Sequence, residues 1–122
     1  MPFDWREFHN LAINLSKNSD EASLRSSVSR AYYAAFHLAR DFAKNCLSFQ
    51  PTYKGPDHDG VVNHMKNHND KAVRAIGINL DRLKDNRRIA DYVSNTRVKP
   101  NLVALSIGFG DNVENGIKDW TP

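Results

Sequence analysis

Apolar residues recur through most of the chain at intervals of three and four positions, which is the spacing of one face of an α-helix. The longest such run covers residues 20–47. Its inner face is expected to hold Leu24, Val28, Ala31, Ala35, Leu38, Ala39 and Phe42. No long run of β-branched residues alternates with polar ones, so the strand signal is weak. The pattern therefore predicts an all-α protein.

Capping residues and helix breakers set the ends of the first predicted helices. Asp4 is the expected N-cap of a first helix, and Ser19 or Asp20 caps the long second one. The segment Ser48–Gly60 is rich in proline and glycine and is expected to form a loop. A short helix is predicted to follow near Val61–His68.

The second half of the chain carries two more predicted helices. Asp70 caps a helix that Gly77 weakens and that ends near Val93, and Pro100 opens the last helix. The segment Gly108–Gly110 is expected to kink or break that last helix. The prediction is an all-α, up-and-down bundle of about five helices, in one domain spanning residues 1–122.

The second helix is apolar around most of its circumference. Tyr33 and Phe36 lie off the inner face, and nearly every residue of the segment 31–39 is apolar, aromatic or small. A helix of this kind is buried by more than one neighbour. In a chain of 122 residues, one of those neighbours is expected to be a second subunit, which predicts a homodimer through this helix.

Positive charge is concentrated in one third of the chain. The net charge is only +3, but residues 66–99 hold nine Lys and Arg against four Asp. Such a basic segment favours contact with a polyanion, although an ordinary solvated helix surface is the alternative. The residues expected to contact RNA or a nucleotide are Lys66, Lys71, Arg74, Arg82, Arg87 and Arg88.

Composition also bears on the cellular setting. No apolar run approaches the roughly 18 residues that a membrane span requires, so no membrane association is expected. The first residues show no basic region leading into an apolar segment, which disfavours a secretory signal. Cys46 is the single cysteine and suits a reducing cytoplasm.

Arg30 and His37 are the first candidates for chemistry. Seven residues apart on a helix, they lie within about 20° of the same face and about 10 Å apart along the axis. Asp41 follows one turn later and is expected to orient the imidazole. The group predicts an anion site with a general acid or base. The alternative is that Arg30 pairs with an acid on another helix and His37 is merely packed.

Two further groups have structural interpretations. Arg87 lies on an inward stripe, and an ion pair with Asp91 four residues later is the preferred prediction, with the Tyr92 hydroxyl anchored nearby. Three histidines invite a metal hypothesis, but no cysteine joins them and no HExxH motif is present, so no metal site is expected. These histidines are His58, His64 and His68. The chain has no dinucleotide or P-loop motif, and no cofactor is expected.

Two segments resemble a known family. Arg25–His37 is similar to the second-helix signature of HEPN domains (higher eukaryotes and prokaryotes nucleotide-binding). Leu83–Tyr92 resembles the arginine-x-x-alanine-aspartate-tyrosine block of the same families. The separation of the two segments also fits, and the resemblance covers roughly residues 4–119.

The resemblance implies an all-α bundle of four or five helices that is commonly a homodimer. Many HEPN proteins are metal-independent RNases of toxin–antitoxin, CRISPR or antiphage systems, in which an arginine and a histidine act on the RNA phosphate and the ribose hydroxyl. Others bind RNA or act as adaptors, and many small ones pair with a nucleotidyltransferase-type antitoxin.

This chain departs from the RNase pattern on its late helix. Asp91 and Tyr92 follow Arg87 and Arg88 there, and no histidine comes within six residues of either arginine. The expected function is therefore a module that binds RNA, a nucleotide or a nucleotidyltransferase partner in prokaryotic defence or a toxin–antitoxin pair. The alternatives are a metal-independent endoribonuclease using Arg30 and His37 across a homodimer cleft, and an unrelated helical interaction protein.

Overall fold

The computed structural model of the protein describes residues 2–122, and these fold into five α-helices without any strand. The helices are α1 (Arg6–Leu15), α2 (Glu21–Cys46), α3 (Asp57–Lys66), α4 (Lys71–Tyr92) and α5 (Pro100–Asp119). The predicted all-α bundle is confirmed. None of the helices in the described part of the chain is long and apolar enough to cross a lipid bilayer.

Most helix ends coincide with the predicted capping residues. The Asp20 carboxylate accepts the Ser23 N–H at 3.0 Å at the start of α2. The Asp70 carboxylate accepts the Ala72 N–H at 2.8 Å at the start of α4, and Pro100 opens α5. These bonds satisfy backbone donors that have no partner within the helix itself.

The short third helix begins earlier than predicted, at Asp57 rather than near Val61. Pro56 stands at its N-cap position, where a missing backbone N–H costs nothing. Gly60 lies inside the helix, and the Phe49 ring packs at van der Waals distance from it. The predicted loop is confirmed over residues 48–56, and only its last four residues belong to the helix.

Helix α2 is the centre of the bundle and contacts each of the other four helices. Phe36 is 2% exposed and Tyr33 is half-buried against the core, although both lie off the predicted inner face. The predicted inner face is otherwise buried, except that Leu38 is only half-buried. Neighbours from the same chain therefore account for the apolar character of α2, and the homodimer stays a prediction.

A second, smaller core closes the end of the bundle where α4 meets α5. Its buried residues are Leu24, Val28, Ala90, Val98 and Val103. Arg25 ties this end together, because its guanidinium donates to the carbonyl oxygens of Ile89, Ala90 and Thr96 at 2.6–3.2 Å. The Ala90 carbonyl, which has no helical partner at the end of α4, is satisfied in this way.

Helix α5 runs unbroken from Pro100 to Asp119, so the interruption predicted at Gly108–Gly110 is wrong. At Gly110 the reason for glycine is space, since an added Cβ would lie 3.1 Å from the ring of His9. His9 is 5% exposed, and its Nε2 lies 2.7 Å from an oxygen of Asp111. The glycine thus lets α1 and α5 approach closely without ending the helix.

Candidate functional site

The ring of Tyr33 on α2 is surrounded by four nitrogen-bearing side chains. The guanidinium carbons of Arg30 and Arg87 each lie 5.2 Å from the ring centroid. The imidazole centroids of His37 and His58 lie 6.4 and 6.0 Å from it. We refer to these five residues as the Tyr33 cluster. Helix α2 contributes three of them, α3 contributes His58 from its first turn, and α4 contributes Arg87 from its last turns.

Arg30 lies between two aromatic rings rather than beside an acid. Its guanidinium carbon is 4.7 Å from the centroid of Phe8 and 5.2 Å from that of Tyr33. No carboxylate within residues 2–122 lies at salt-bridge distance from it, so the alternative of an ion pair to another helix is wrong. Among those residues the only buried side-chain nitrogen or oxygen without a partner is Arg40 Nε. The Arg30 nitrogens therefore keep contact with solvent.

His37 is held by Trp5 and Arg40. The indole of Trp5 stacks on the imidazole with ring centroids 3.6 Å apart and an angle of 7° between the planes. His37 Nδ1 lies 3.2 Å from Arg40 Nη2. Asp41 is exposed and makes no hydrogen bond to His37 in the described part of the chain. The predicted orienting role of Asp41 is thus filled by Arg40, one helical turn after His37.

The surroundings of His37 keep its ring neutral. Burial, followed by the positive charge of Arg40, the His58 ring and Arg30, lowers the pKa of His37 to about 4. A guanidinium has no acceptor, so Nδ1 must accept the bond from Arg40, and the proton of the neutral ring sits on Nε2. Nε2 has no hydrogen-bond partner within residues 2–122 and is not fully buried, so it contacts solvent. The ring therefore offers a hydrogen-bond donor at pH 7.

His58 has a parallel arrangement. Its Nδ1 lies 2.5 Å from the hydroxyl of Tyr32, and its ring stacks on Phe36 at 4.1 Å. Burial raises the pKa of Tyr32, so its hydroxyl keeps its proton and shares one hydrogen bond with Nδ1. Burial, together with the charges of Arg87 and Arg40, lowers the pKa of His58. His58 is then a second imidazole that is neutral at pH 7.

The other two histidines of the metal hypothesis are held elsewhere. His64 Nε2 is hydrogen-bonded to the carbonyl oxygen of Leu47 at 2.7 Å, and His68 Nδ1 accepts the Asp70 N–H at 3.0 Å. Over residues 2–122 no group of three or more His, Cys, Asp or Glu side chains could hold a metal ion.

Arg87 has the ion pair predicted for it and an additional position in the cluster. Its Nε donates to Asp91 at 2.9 Å, and its Nη2 donates to the hydroxyls of Tyr33 at 2.6 Å and Tyr92 at 3.3 Å. The predicted ion pair and the anchoring of Tyr92 are confirmed. The same bonds fix the guanidinium against the Tyr33 ring and leave the hydroxyl protons of both tyrosines free to donate.

Arg40 connects the cluster to the loop before α3. Its Nη1 lies 3.4 Å from an oxygen of Asp57, which is 2% exposed. The Asp57 carboxylate also accepts the N–H and hydroxyl of Thr52 and the N–H of Tyr53 at 2.8–2.9 Å. Burial acts to raise the pKa of Asp57, but these hydrogen bonds outweigh it, and the pKa is lowered. A permanent carboxylate therefore fixes both the loop and Arg40.

The remaining basic residues predicted to bind RNA do not form one surface. Lys66 pairs with Asp81 at 2.8 Å, and Arg74 donates to the His68 carbonyl at 3.0 Å. Lys71 and Arg82 are exposed on the side of α4 roughly opposite Arg87. Arg88 lies 3.9 Å from Asp59 and from Asp85. Of the six predicted residues, only Arg87 belongs to the Tyr33 cluster.

The free energy of unfolding is expected to fall as the pH drops from about 6.5 to about 4. In that window the unfolded chain binds a proton at His37 and the folded chain does not. Replacing His37 with glutamine should make the dependence shallower, since the variant lacks this group in both states. Urea denaturation of both proteins across the window measures the effect, and equal slopes would contradict it.

Comparisons of the chain with protein-family models, with curated proteins and with solved structures each found no match. Its function is therefore inferred from its own residues and their geometry. The Tyr33 cluster provides an unpaired guanidinium, two neutral imidazoles and an aromatic ring between them.

Proposed function

We propose that this chain is an RNA-binding module of the HEPN type, and that the Tyr33 cluster holds a phosphate group of the RNA. The observation that carries the proposal is the state of Arg30, a guanidinium flanked by aromatic rings and without an acidic partner among residues 2–122. A guanidinium matches phosphate geometry and offers several donors at once. Its position beside the Nε2–H donor of His37 suits one anionic group.

The aromatic rings of the site suit the other part of a nucleotide. Proteins bind unpaired RNA bases by stacking them on aromatic side chains and on guanidinium planes, while basic groups hold the backbone. Tyr33, Tyr92 and Trp5 supply rings next to Arg30, Arg87 and His37. Phosphate and base contacts are thereby available within the same surface.

The cellular setting in this proposal comes from the resemblance alone. A small HEPN-like module is expected in the cytoplasm of a prokaryote, in a defence or toxin–antitoxin locus. A homodimer and a nucleotidyltransferase-type antitoxin are the protein partners that this setting suggests. An adaptor that meets such an enzyme through the same surface would bind RNA weakly, and the binding measurement below separates the two.

A second candidate function is metal-independent cleavage of RNA with Arg30 and His37 at a homodimer cleft. It is favoured by the presence of a free guanidinium and an imidazole at one surface. The protonation of His37 weighs against it, because Nδ1 accepts from Arg40 and the open Nε2 carries the proton. A ring in that state donates to an anion but does not remove the proton of a ribose hydroxyl.

Replacing Arg30 with glutamine is expected to weaken RNA binding about ten-fold or more, because the variant keeps a similar length and loses the charge. Arg82→Gln is the matched control, since Arg82 is exposed on α4 away from the cluster. Fluorescence anisotropy with a labelled RNA measures both. Wild-type affinity should fall steeply with salt, as phosphate contacts release counterions.

Equal losses in the two variants would contradict a phosphate site at the cluster. Incubation of wild type and His37→Gln with total RNA in EDTA tests the second function in parallel. Cleavage by the wild type that is lost in a folded His37→Gln protein would establish the nuclease. Binding without cleavage supports the binding module, and the absence of both would leave the protein partner as the remaining reading of the resemblance.

A further inference from the structure

Four side chains continue in a line along α2 from the Tyr33 cluster. Tyr33, His37, Arg40 and Lys44 are spaced by four, three and four residues, so they share one stripe of the helix. The stripe is about 16 Å long. It carries an aromatic ring, an imidazole and two cations in sequence. A polyanion lying along α2 would meet Lys44 at one end of this stripe and Arg30, beside the Tyr33 ring, at the other.

An exposed tyrosine stands at each end of this stripe. Tyr92 is 71% exposed, and its ring lies 5.2 Å from the guanidinium carbon of Arg87, next to Tyr33. Tyr53 is 59% exposed, and its ring lies 4.8 Å from the guanidinium carbon of Arg40 and 5.9 Å from Lys44 Nζ. Both rings therefore combine a free face with a neighbouring cation.

Tyr53 is held in place at a conformational cost. Its φ is 58°, in the left-handed region that a residue with a bulky side chain seldom adopts. The hydrogen bond from its N–H to the buried Asp57 carboxylate, at 2.8 Å, stabilises this conformation. Such a backbone outlier is a common property of functional positions. Here it places an aromatic ring beside two cations instead of turning it into the core.

Arg40 and Arg87 at the stripe are ion-paired, and within residues 2–122 Lys44 is not. Asp57 is buried beneath Arg40, and Asp91 is paired with Arg87 at 2.9 Å. Asp41 is exposed, but it lies to one side of the stripe by roughly a fifth of a helical turn. Lys44 has no acidic partner at salt-bridge distance among residues 2–122. Over the described part of the chain, Lys44 is therefore the one cation of the stripe that is free to pair with an anion.

We propose that Tyr92, the α2 stripe and Tyr53 form one track that binds single-stranded RNA, with a base stacked on each of the two end tyrosines. We call these six residues the α2 track. The inference rests on the proposed function and adds the form of the RNA and the residues that stack its bases. The track has room for roughly three to four nucleotides of an extended strand. Paired bases inside a duplex are already stacked and cannot reach the tyrosine rings.

The test compares labelled oligouridines of increasing length with a blunt RNA duplex by fluorescence anisotropy. Affinity should rise with length until the track is filled and then level off, and the duplex should bind more weakly. Tyr92→Ala and Tyr53→Asn should each lower the affinity for the longer oligouridines about ten-fold, since each removes one stacking ring. Asparagine is chosen at position 53 because it tolerates the left-handed backbone.

Matched variants isolate the ring from the hydroxyl and from general effects. Tyr92→Phe and Tyr53→Phe keep the stacking face and should bind nearly as the wild type does. Leu105→Ala removes an exposed side chain of α5, away from the track, and should also bind normally. Circular dichroism confirms that each variant is folded.

Two results would overturn the α2 track. If the wild type binds RNA and Arg30→Gln loses binding, while Tyr92→Ala and Tyr53→Asn bind fully, the phosphate site stands and the track is wrong. Equal affinity for the duplex and for the single strand would also show that the track is wrong. If the wild type binds no RNA of any form, the proposed function itself fails and the track fails with it.

Discussion

Replacing Arg87 with lysine is expected to lower the free energy of unfolding by about 2–3 kcal/mol, although the charge is kept. The guanidinium donates at once to Asp91, Tyr33 and Tyr92, and its plane packs against tyrosine rings at 5.2–5.4 Å. An ammonium group cannot reproduce that fork or lie flat on an aromatic ring. RNA affinity should fall as well, because the rings of the Tyr33 cluster lose their common support.

Arg82→Lys is the control for this prediction. Arg82 lies on the same helix, is exposed, and has no salt-bridge partner in the part of the chain that the structure describes. Its replacement should leave the stability within about 0.5 kcal/mol of the wild type, as is usual for a surface change. Urea denaturation of both variants measures the difference. Equal stability of Arg87→Lys and wild type would show that Arg87 stabilises the protein through its charge alone.

Replacing Gly77 with alanine is expected to destabilise the protein by about 1–3 kcal/mol, although alanine is the better helix former. An added Cβ would lie 2.9 Å from the backbone nitrogen of Lys66 and 2.9 Å from Met65 Cβ. A backbone atom cannot move aside as the end of a flexible side chain can. Helices α3 and α4 would have to separate at the last turn of α3.

Replacing Gly108 with alanine should instead stabilise the protein. Nothing lies within 4 Å of a Cβ added at Gly108, and the residue is in the middle of α5. The change should raise the free energy of unfolding by about 0.5–1 kcal/mol, because alanine loses less conformational freedom in a helix. Thermal unfolding followed by circular dichroism gives both values. A stabilised Gly77→Ala protein would refute the close approach of α3 and α4.

The number and nature of the helices could be predicted from the sequence because their signals are local. Apolar spacing over residues 20–47 and the caps at Asp20 and Asp70 depend only on neighbouring residues. The glycines of α5 were misread for the same reason. Whether a glycine breaks a helix or admits a neighbour is decided by the neighbour, and His9 is about one hundred residues away from Gly110 in the sequence.

The site was predictable only where it follows from the period of one helix. Arg30 and His37 were placed on one stripe of α2, and the structure puts both against the Tyr33 ring. His58 could not be assigned to the site from the sequence, because its partner Tyr32 is 26 residues away on another helix. In the sequence, His58 stands out only as one of three histidines that invite a metal hypothesis, and no metal site is expected from them. No spacing rule distinguishes an imidazole that meets a tyrosine from one that meets a metal ion.

Charge counts gave less information than charge positions. The basic segment 66–99 contains the whole of α4, so its basic side chains are distributed around that helix. Lys44 and Arg40 lie outside the segment, yet they extend the surface that begins at Arg87. A surface for a polyanion is assembled from several helices, and a window of sequence follows only one of them.

The position of Cys46 makes the chain easy to label. It is the only cysteine in the sequence, it is exposed, and it ends α2 two residues after Lys44. It lies about half a helical turn away from the α2 stripe. A thiol-reactive fluorophore or spin label attached there would sit beside one end of the α2 track without covering it. Ligand binding could then be followed spectroscopically on the otherwise unaltered protein.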